Sequence, residues 1–344
     1  MSVRVDRLRE LLEEPLLVTN PANVYYLVGF KSSNAAVLVE QDRVRLFTDF
    51  RYAEAARAVE GVELEMTKRG LLADLSARLS GRIGFEADYM SYGGWEALGA
   101  GSVEPAPRRT LVERLRAVKD DSELATIREA CAITDRMFER LAEEKFVGRT
   151  ELDLAWRIEE LFHEEGGQLA FESIVASGPN AARPHARAGS REIGVGETVV
   201  IDTGCTVDAY SSDYTRTFVT GPVDDDVKEA YAVVLAAQQA ALDAIRAGVG
   251  GMDADAAARR VVDESPFAGT FGHGLGHGLG LEIHEAPRMS TESTDTLAVG
   301  NVVTVEPGIY LEGRAGIRIE DNVVVTSDGI DNLTGLRKDL VTVG

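Results

Sequence analysis

The sequence predicts an α+β chain in two parts, a smaller α/β domain over residues 1–118 and a larger domain over 119–344. Three observations predict it. Strand-like and helix-like runs alternate before the boundary. Beyond it, two segments read alike, VGETVVIDTG at 195–204 and VGNVVTVEPG at 299–308. Around these segments lie long stretches with helical apolar spacing.

In the first part, strand-like runs are PLLVTN (15–20), AAVLVE (35–40), RVRLFTD (43–49), VELEMT (62–67) and RIGFEAD (82–88). Helical patterns fall at 6–12 and 50–59. This part has no histidine and no acids on matched strands, so no chemistry is expected in it. After the boundary, Asp120 and Glu123 are spaced as N-cap and N3 of a capping box, opening a helix through about Leu141. Further helices are expected over 150–165, 225–247 and 252–264, packed on a sheet.

The matched segments are the centre of the second part. Each begins Val-Gly and places an acid six positions after that glycine, Asp202 after Gly196 and Glu306 after Gly300. Each acid ends a Val/Ile/Thr-rich run that reads as a strand. A second short strand follows each one with another acid, Asp213 in SSDYTRTF and Glu320 in GIRIEDNVVV. Two similar hairpins thus each offer a pair of carboxylates. Between them lies FGHGLGHGLGLEIHE (271–285), which holds three of the five histidines: His273, His277 and His284. Imidazole ligates metals and exchanges protons near neutral pH.

Carboxylates among Val, Ile and Gly are costly to bury unless paired or metal-bound. A solvated face does not explain four of them. An ion-pair network through Arg216 and Arg318 is the competing reading; a metal cluster is favoured. Arg318 precedes Glu320 by two, so a strand places both on one face, where the guanidinium could support that carboxylate from behind. The glycines of the histidine-rich run do not make a nucleotide loop. The i, i+2, i+5 glycine spacing and the Walker lysine are both absent.

Composition narrows the partners. Net charge is −21, from 57 acids against 36 bases, which disfavours nucleic acid and anionic membranes. The opening MSVRVDRLRELLEEP lacks the apolar core of a signal peptide, and no run approaches a membrane span, so a cytoplasmic protein is expected. Cys131 and Cys205 form neither a disulfide framework nor a zinc motif, and both read as structural. His163 sits on an amphipathic helix and reads as a surface residue. Only six bases are lysine. A GC-rich genome accounts for that scarcity but not for the acid excess, so a halophilic host is expected.

These residues resemble the pita-bread metallopeptidases of the creatinase/aminopeptidase fold, in particular the Xaa-Pro dipeptidase (prolidase) and Xaa-Pro aminopeptidase branch. The resemblance covers nearly the whole chain. It implies a C-terminal pita-bread domain with pseudo-twofold duplication, preceded by a creatinase-like N-terminal α/β domain that helps form a homodimer. It maps Asp202, Asp213, His277, Glu306 and Glu320 onto the ligands of two divalent metals, with Asp213 and Glu320 bridging. Oxygen-rich ligation without thiolate points to Mn²⁺ or Co²⁺, with Fe²⁺ or Zn²⁺ possible. The implied reaction is hydrolysis of the bond between an N-terminal residue and proline by a metal-bridging hydroxide. Glu306 would also move the proton to the leaving nitrogen. His284 would stabilise charge on the scissile carbonyl, and His185, in NAARPHA, would contact substrate from a loop.

His273 maps to the substrate pocket, with a structural loop histidine as the alternative. Arg288 is a candidate for the carboxylate of a short peptide, with a plain surface arginine as the alternative. The expected substrates are short peptides with proline in second position, and the short leading domain leans to a dipeptidase. A methionine-aminopeptidase-like enzyme and a non-catalytic pita-bread binding protein are the other readings. The former typically lacks the leading domain, and the latter usually loses ligands. Creatinase itself lacks the metal site.

Overall fold

The computed structural model describes residues 3–344. By internal packing the chain divides after Arg116 into two compact units.

The first unit is a six-stranded mixed sheet with helices. In spatial order its strands are Glu63–Met66, Val44–Thr48, Ala35–Val39, Leu16–Val18, Ser80–Glu86 and Ser102–Arg108. The three strands from 16 to 48 form an antiparallel meander, and the others join in parallel. Its core packs Leu17, Leu38, Phe47, Ile83 and Phe85 against Leu71, Leu75 and Leu98. Burying side chains of this size contributes about 1.5–3 kcal/mol each.

Several of these elements differ from the sequence expectation. The first helix is Val3–Arg9 rather than 6–12. The run 50–59 is a 3-10 turn, Phe50–Tyr52, and one short helix, Ala53–Arg57. Helix Pro21–Val28 was not anticipated, although its signals are local. The Asn20 side chain accepts from Ala22 N at 2.9 Å, Pro21 opens the helix, and Gly29 closes it at φ 69°. Strand Ser102–Arg108 was masked by Pro105 and Pro107, which only an edge strand tolerates.

The second unit contains the duplicated hairpins. Strand Thr198–Thr203 pairs antiparallel with Tyr214–Val219, placing Asp202 opposite Thr215. Strand Val302–Val305 pairs antiparallel with Asp321–Val325, placing Thr304 opposite Asn322. The first pair belongs to a four-stranded sheet with Ile174–Ser177 and Val341–Thr342, the second to a five-stranded sheet that includes Gly276–Gly278 and Glu285–Met289. Helix Asp121–Leu141 starts with the expected capping box, since Glu123 N donates to Asp120 and Asp120 N donates to Glu123, both at 3.0 Å. Helices Glu151–Glu164, Asp225–Ala244 and Gly251–Asp263 complete the cover. Buried Ala230, Val234, Ala237 and Ala241 set the contact face of helix Asp225–Ala244 against Val305, Ile317 and Val323.

One expectation is corrected. SSDYTRTF and GIRIEDNVVV are not single strands. The first divides into Tyr210–Ser211 and Tyr214–Val219, and the second into Ala315–Arg318 and Asp321–Val325. Asp213 and Glu320 lie in these breaks. Among the described residues no helix is long and apolar enough to cross a membrane.

Candidate metal centre

The breaks free two acids from sheet geometry and aim them into one cleft of about 520 Å³, which Asp202, Asp213, His277, Glu306 and Glu320 all line. Asp202 enters from the end of its strand, and Glu306 directly follows Val305. One ligand atom each from Asp213, His277 and Glu320 lie within 4.8 Å of one another. His277 Nε2 stands 3.4 Å from Glu306 Oε1 and 3.7 Å from Asp213 Oδ2.

The glycines flanking His277 have a steric cause. A Cβ at Gly276 would lie 2.1 Å from the Thr304 carbonyl oxygen, and one at Gly278 would lie 2.2 Å from that of Ala286. Only glycine lets this strand lie so close to both neighbours. The His277 Nδ1–H donates to Gly278 O at 3.1 Å, which leaves Nε2 turned toward the carboxylates with its lone pair free.

The donors fit a cation cluster. Asp202 Oδ1 and Asp213 Oδ1 are buried with no hydrogen-bond partner. Burial, then repulsion from Asp202 and Glu306, holds the Asp213 carboxyl well above its usual range. Burial, then Asp213, does the same for Glu320. Burial raises Glu306 to about 7, against the opposing pull of Arg318. Such a group of acids cannot all ionise unless positive charge joins it. The carboxylates and the single imidazole are the ligands that oxygen-preferring divalent cations take.

This geometry sets the stability of the metal-free protein. In the unfolded chain these carboxyls titrate near ~4. Folded, they hold their protons to higher pH, so the folded state binds more protons across that interval and loses stability as pH rises through it. The Tm of metal-free protein should therefore fall between about pH 5 and pH 7.5, and saturating divalent cation should remove the slope. A flat metal-free profile would contradict this electrostatic account.

Arg318 differs from its expected role. It reaches Glu320 only through Thr215, not by direct contact. Its Nη2 pairs with Asp202 at 2.5 Å, while Nε donates to Thr215 Oγ1 at 2.9 Å. Thr215 in turn donates to Glu320 Oε2 at 2.6 Å. The strand break at Ile319 and Glu320 defeats the two-residue strand rule. Arg216 pairs instead with buried Asp321 at 2.9 Å.

The four remaining candidates all border the cleft. His185, His284 and Arg288 are exposed in its wall. The His284 ring lies 4.2 Å from that of His277, centroid to centroid, and burial, then His277, lowers its pKa. Arg288 stands opposite His277 in the strand register. His273 is committed within the protein. Its Nδ1–H donates to Gly274 O at 2.8 Å, and Nε2 accepts from the Tyr310 hydroxyl at 2.8 Å. That hydroxyl accepts from Arg318 Nη1 at 2.9 Å. Burial, then Arg318, pushes His273 down to about 4. A neutral ring with both nitrogens engaged can meet a ligand only through its carbons.

Sequence reasoning missed Thr215, Asn322 and Tyr310. Asn322 is fully buried and grips the Asp213 backbone, accepting from its N–H at 3.0 Å and donating to its carbonyl at 2.7 Å. It also missed the buried pair Lys119–Glu285, 3.1 Å apart, whose acid follows His284 in the chain. Thr215 and Asn322 each follow a site acid by two, which is the only local signal. Lys119 and Glu285 carry none.

The comparisons with known proteins agree with the fold. Residues 125–327 match the model of metallopeptidase family M24, and residues 4–118 match the creatinase/prolidase N-terminal domain. An Xaa-Pro dipeptidase of Pyrococcus furiosus is 33% identical over 99% of this chain and 100% of its own length. The structure of an Xaa-Pro dipeptidase from Bacillus anthracis superposes with a TM-score of 0.95 at 35% identity, covering 98% of this chain and 99% of that one. An X-Pro aminopeptidase from Thermotoga maritima gives 0.90 at 34%, covering 98% and 100%. A chain of this fold with this cluster is a pita-bread metallopeptidase. It belongs to metallopeptidase family M24, with a creatinase-type leading domain.

Proposed function

We propose that the chain is a metal-dependent exopeptidase that hydrolyses the bond between an N-terminal residue and proline. The observation that carries this reading is the convergence of four carboxylates and the His277 imidazole in one cleft, with two carboxylate oxygens left without protein partners. Asp202, Asp213, His277, Glu306 and Glu320 would hold two divalent cations, Mn²⁺ or Co²⁺ by ligand type. When bound, such a pair polarises a carbonyl and makes a water acidic near neutral pH.

The protein's own groups do the rest. Proline nitrogen has no hydrogen as an amide, so it must gain a proton to leave. Glu306, beside His277, takes a proton from water and delivers it to that nitrogen. His284 donates to the scissile oxygen as charge builds there. His185 contacts the substrate from its loop. Arg288, at the cleft wall, receives the C-terminal carboxylate of a dipeptide.

An activity panel of Xaa-Pro dipeptides and longer Xaa-Pro peptides, with and without chelator, tests this reading. Dipeptides should be preferred and chelator should abolish turnover, with Mn²⁺ or Co²⁺ restoring it. Arg288→Ala should raise KM for dipeptides by about tenfold or more and matter less for longer peptides. Equal loss on both removes Arg288 from substrate binding. Full turnover in thoroughly demetallated protein would sink the metallopeptidase mechanism.

A homodimeric cytoplasmic enzyme from a salt-rich host is the accompanying proposal. Its support is the resemblance for the dimer and the −21 charge with six lysines for the host. Like charges across an acidic surface repel over about 30 Å in dilute buffer and about 3 Å at molar salt. Tm should therefore rise steeply with KCl. A flat response refutes the halophilic host and leaves the peptidase reading standing.

A further inference from the structure

The cleft histidine His185 sits on the loop that follows strand Ile174–Ser177. That loop is organised by an acid outside the cleft. Glu151 opens helix Glu151–Glu164 and is fully buried, at 0% exposure. Its Oε1 accepts from Ser177 N and Ser177 Oγ, both at 2.8 Å, and from Asn180 Nδ2 at 3.0 Å. Its Oε2 accepts from Asn180 Nδ2 at 3.0 Å and from Gly189 N at 3.3 Å. Arg191 Nη1 donates to Ser177 Oγ at 2.6 Å, so the hydroxyl hydrogen is directed to Glu151. The backbone repeats the tie, with Glu151 N donating to Arg191 O and Leu152 N to Gly189 O, both at 3.0 Å.

These anchors bracket residues 181–188. Between them the loop rests on the strand that ends at Arg318. A Cβ at Gly316 would lie 1.8 Å from the Ala181 carbonyl oxygen, and Pro184 O accepts from Arg318 Nη1 at 3.3 Å. The loop is thus held on one side by the metal-centre arginine and on the other by a single buried carboxylate. Every partner of that carboxylate is a donor. Only an ionised carboxylate offers acceptors to all of them, and leaving it buried without them would be costly.

We propose that Glu151 is a positioning residue for the reaction. It holds loop 177–189 in the one arrangement that presents His185 to the substrate. This rests on the reading of His185 as a cleft residue that contacts substrate. Glu151→Gln keeps the shape but turns an amide N–H₂ toward donors on one side, which loosens the loop without opening a void.

The test is a double-mutant cycle of Glu151→Gln and His185→Ala, measured as kcat/KM on an Xaa-Pro peptide with metal content and Tm followed in parallel. Glu151→Gln should lower kcat/KM by up to about 10²-fold, the scale of a misplaced group, with metal content unchanged. In the His185→Ala background the same change should cost less than about twofold, because its target is already gone. Equal losses in both backgrounds overturn the proposal and make Glu151 a general stability residue. If His185→Ala alone leaves kcat/KM at the wild-type value, the His185 reading fails and the proposal falls with it. If Glu151→Gln does not fold, Ser177→Ala, which removes one donor and keeps the carboxylate, takes its place in the cycle with the same outcomes. Failure of the wild-type protein to cleave Xaa-Pro bonds is a separate result and bears on the activity itself.

Discussion

Asp213→Ala should abolish divalent-metal binding and peptide hydrolysis together. Burial, then repulsion from Asp202 and Glu306, holds the Asp213 carboxyl well above its usual range, and its Oδ1 has no protein partner. Removing it deletes a ligand from the Asp213, His277, Glu320 cluster. Partners that merely orient a metal ligand typically carry 10–100-fold in affinity or activity, so loss of the ligand should exceed ~10²-fold in both. The fold should survive, because Asn322 grips the backbone of residue 213 and that grip does not need the side chain. Metal-free Asp213→Ala should even melt at or above metal-free wild type near neutral pH, since one of the repelling acids is gone. Metal analysis, turnover and thermal melts on one preparation read all three effects. A variant that keeps its metal and its turnover removes Asp213 from the centre.

His284→Ala separates chemistry from metal binding. His284 is exposed in the cleft wall and borders His277 without joining the Asp213, His277, Glu320 cluster. Burial, then His277, lowers its pKa, so at neutral pH it is an uncharged ring with one N–H to donate. Loss of one donor to a developing oxyanion costs about 10²–10³ in kcat. Metal content should stay at the wild-type value, and His284→Gln should recover part of the loss. If metal and activity vanish together, His284 is a ligand and its assignment as a donor is wrong.

The acids of the cleft were legible in the sequence because an acid at the end of an apolar strand is anomalous by itself, and the repeat of VGETVVIDTG in VGNVVTVEPG doubled the signal. The breaks at Asp213 and Glu320 were not legible. Their flanks, SSDYTRTF and GIRIEDNVVV, have the composition of continuous strands, and only tertiary pairing interrupts them. The partner of Arg318 was misread for the same reason. Local spacing points to Glu320, while the bond forms to Asp202, 116 residues away in sequence. In the leading unit, helix Tyr92–Gly99 escaped notice because Gly93 and Gly94 weaken its helical signal, whereas its Ser91 cap is visible only once the helix is known. The long helices carried periodicity, Asp121–Leu141 and Glu151–Glu164 carried capping boxes as well, and Asp121–Leu141 was read to within a residue.

Thr215 and Asn322 occupy matching places, each two residues beyond the acid in its own half. Each reaches into the opposite half. Thr215 holds the Glu320 carboxylate, and Asn322 holds the Asp213 backbone. This is the reciprocity of an isologous dimer interface, where the contact of i with j is returned by j with i, contained here within one polypeptide. Symmetric exchange alone would yield two like pairs of acids and nothing to tell its two sides apart. His277 and Arg318 have no counterparts in the first half of the repeat, and both line the cleft, Arg318 against Asp202 and His277 against Glu306. Direction in this centre, which decides where the amino end of a peptide lies and where the leaving end lies, therefore comes from the few residues that depart from the twofold, while the charge that gathers the metals comes from those that obey it.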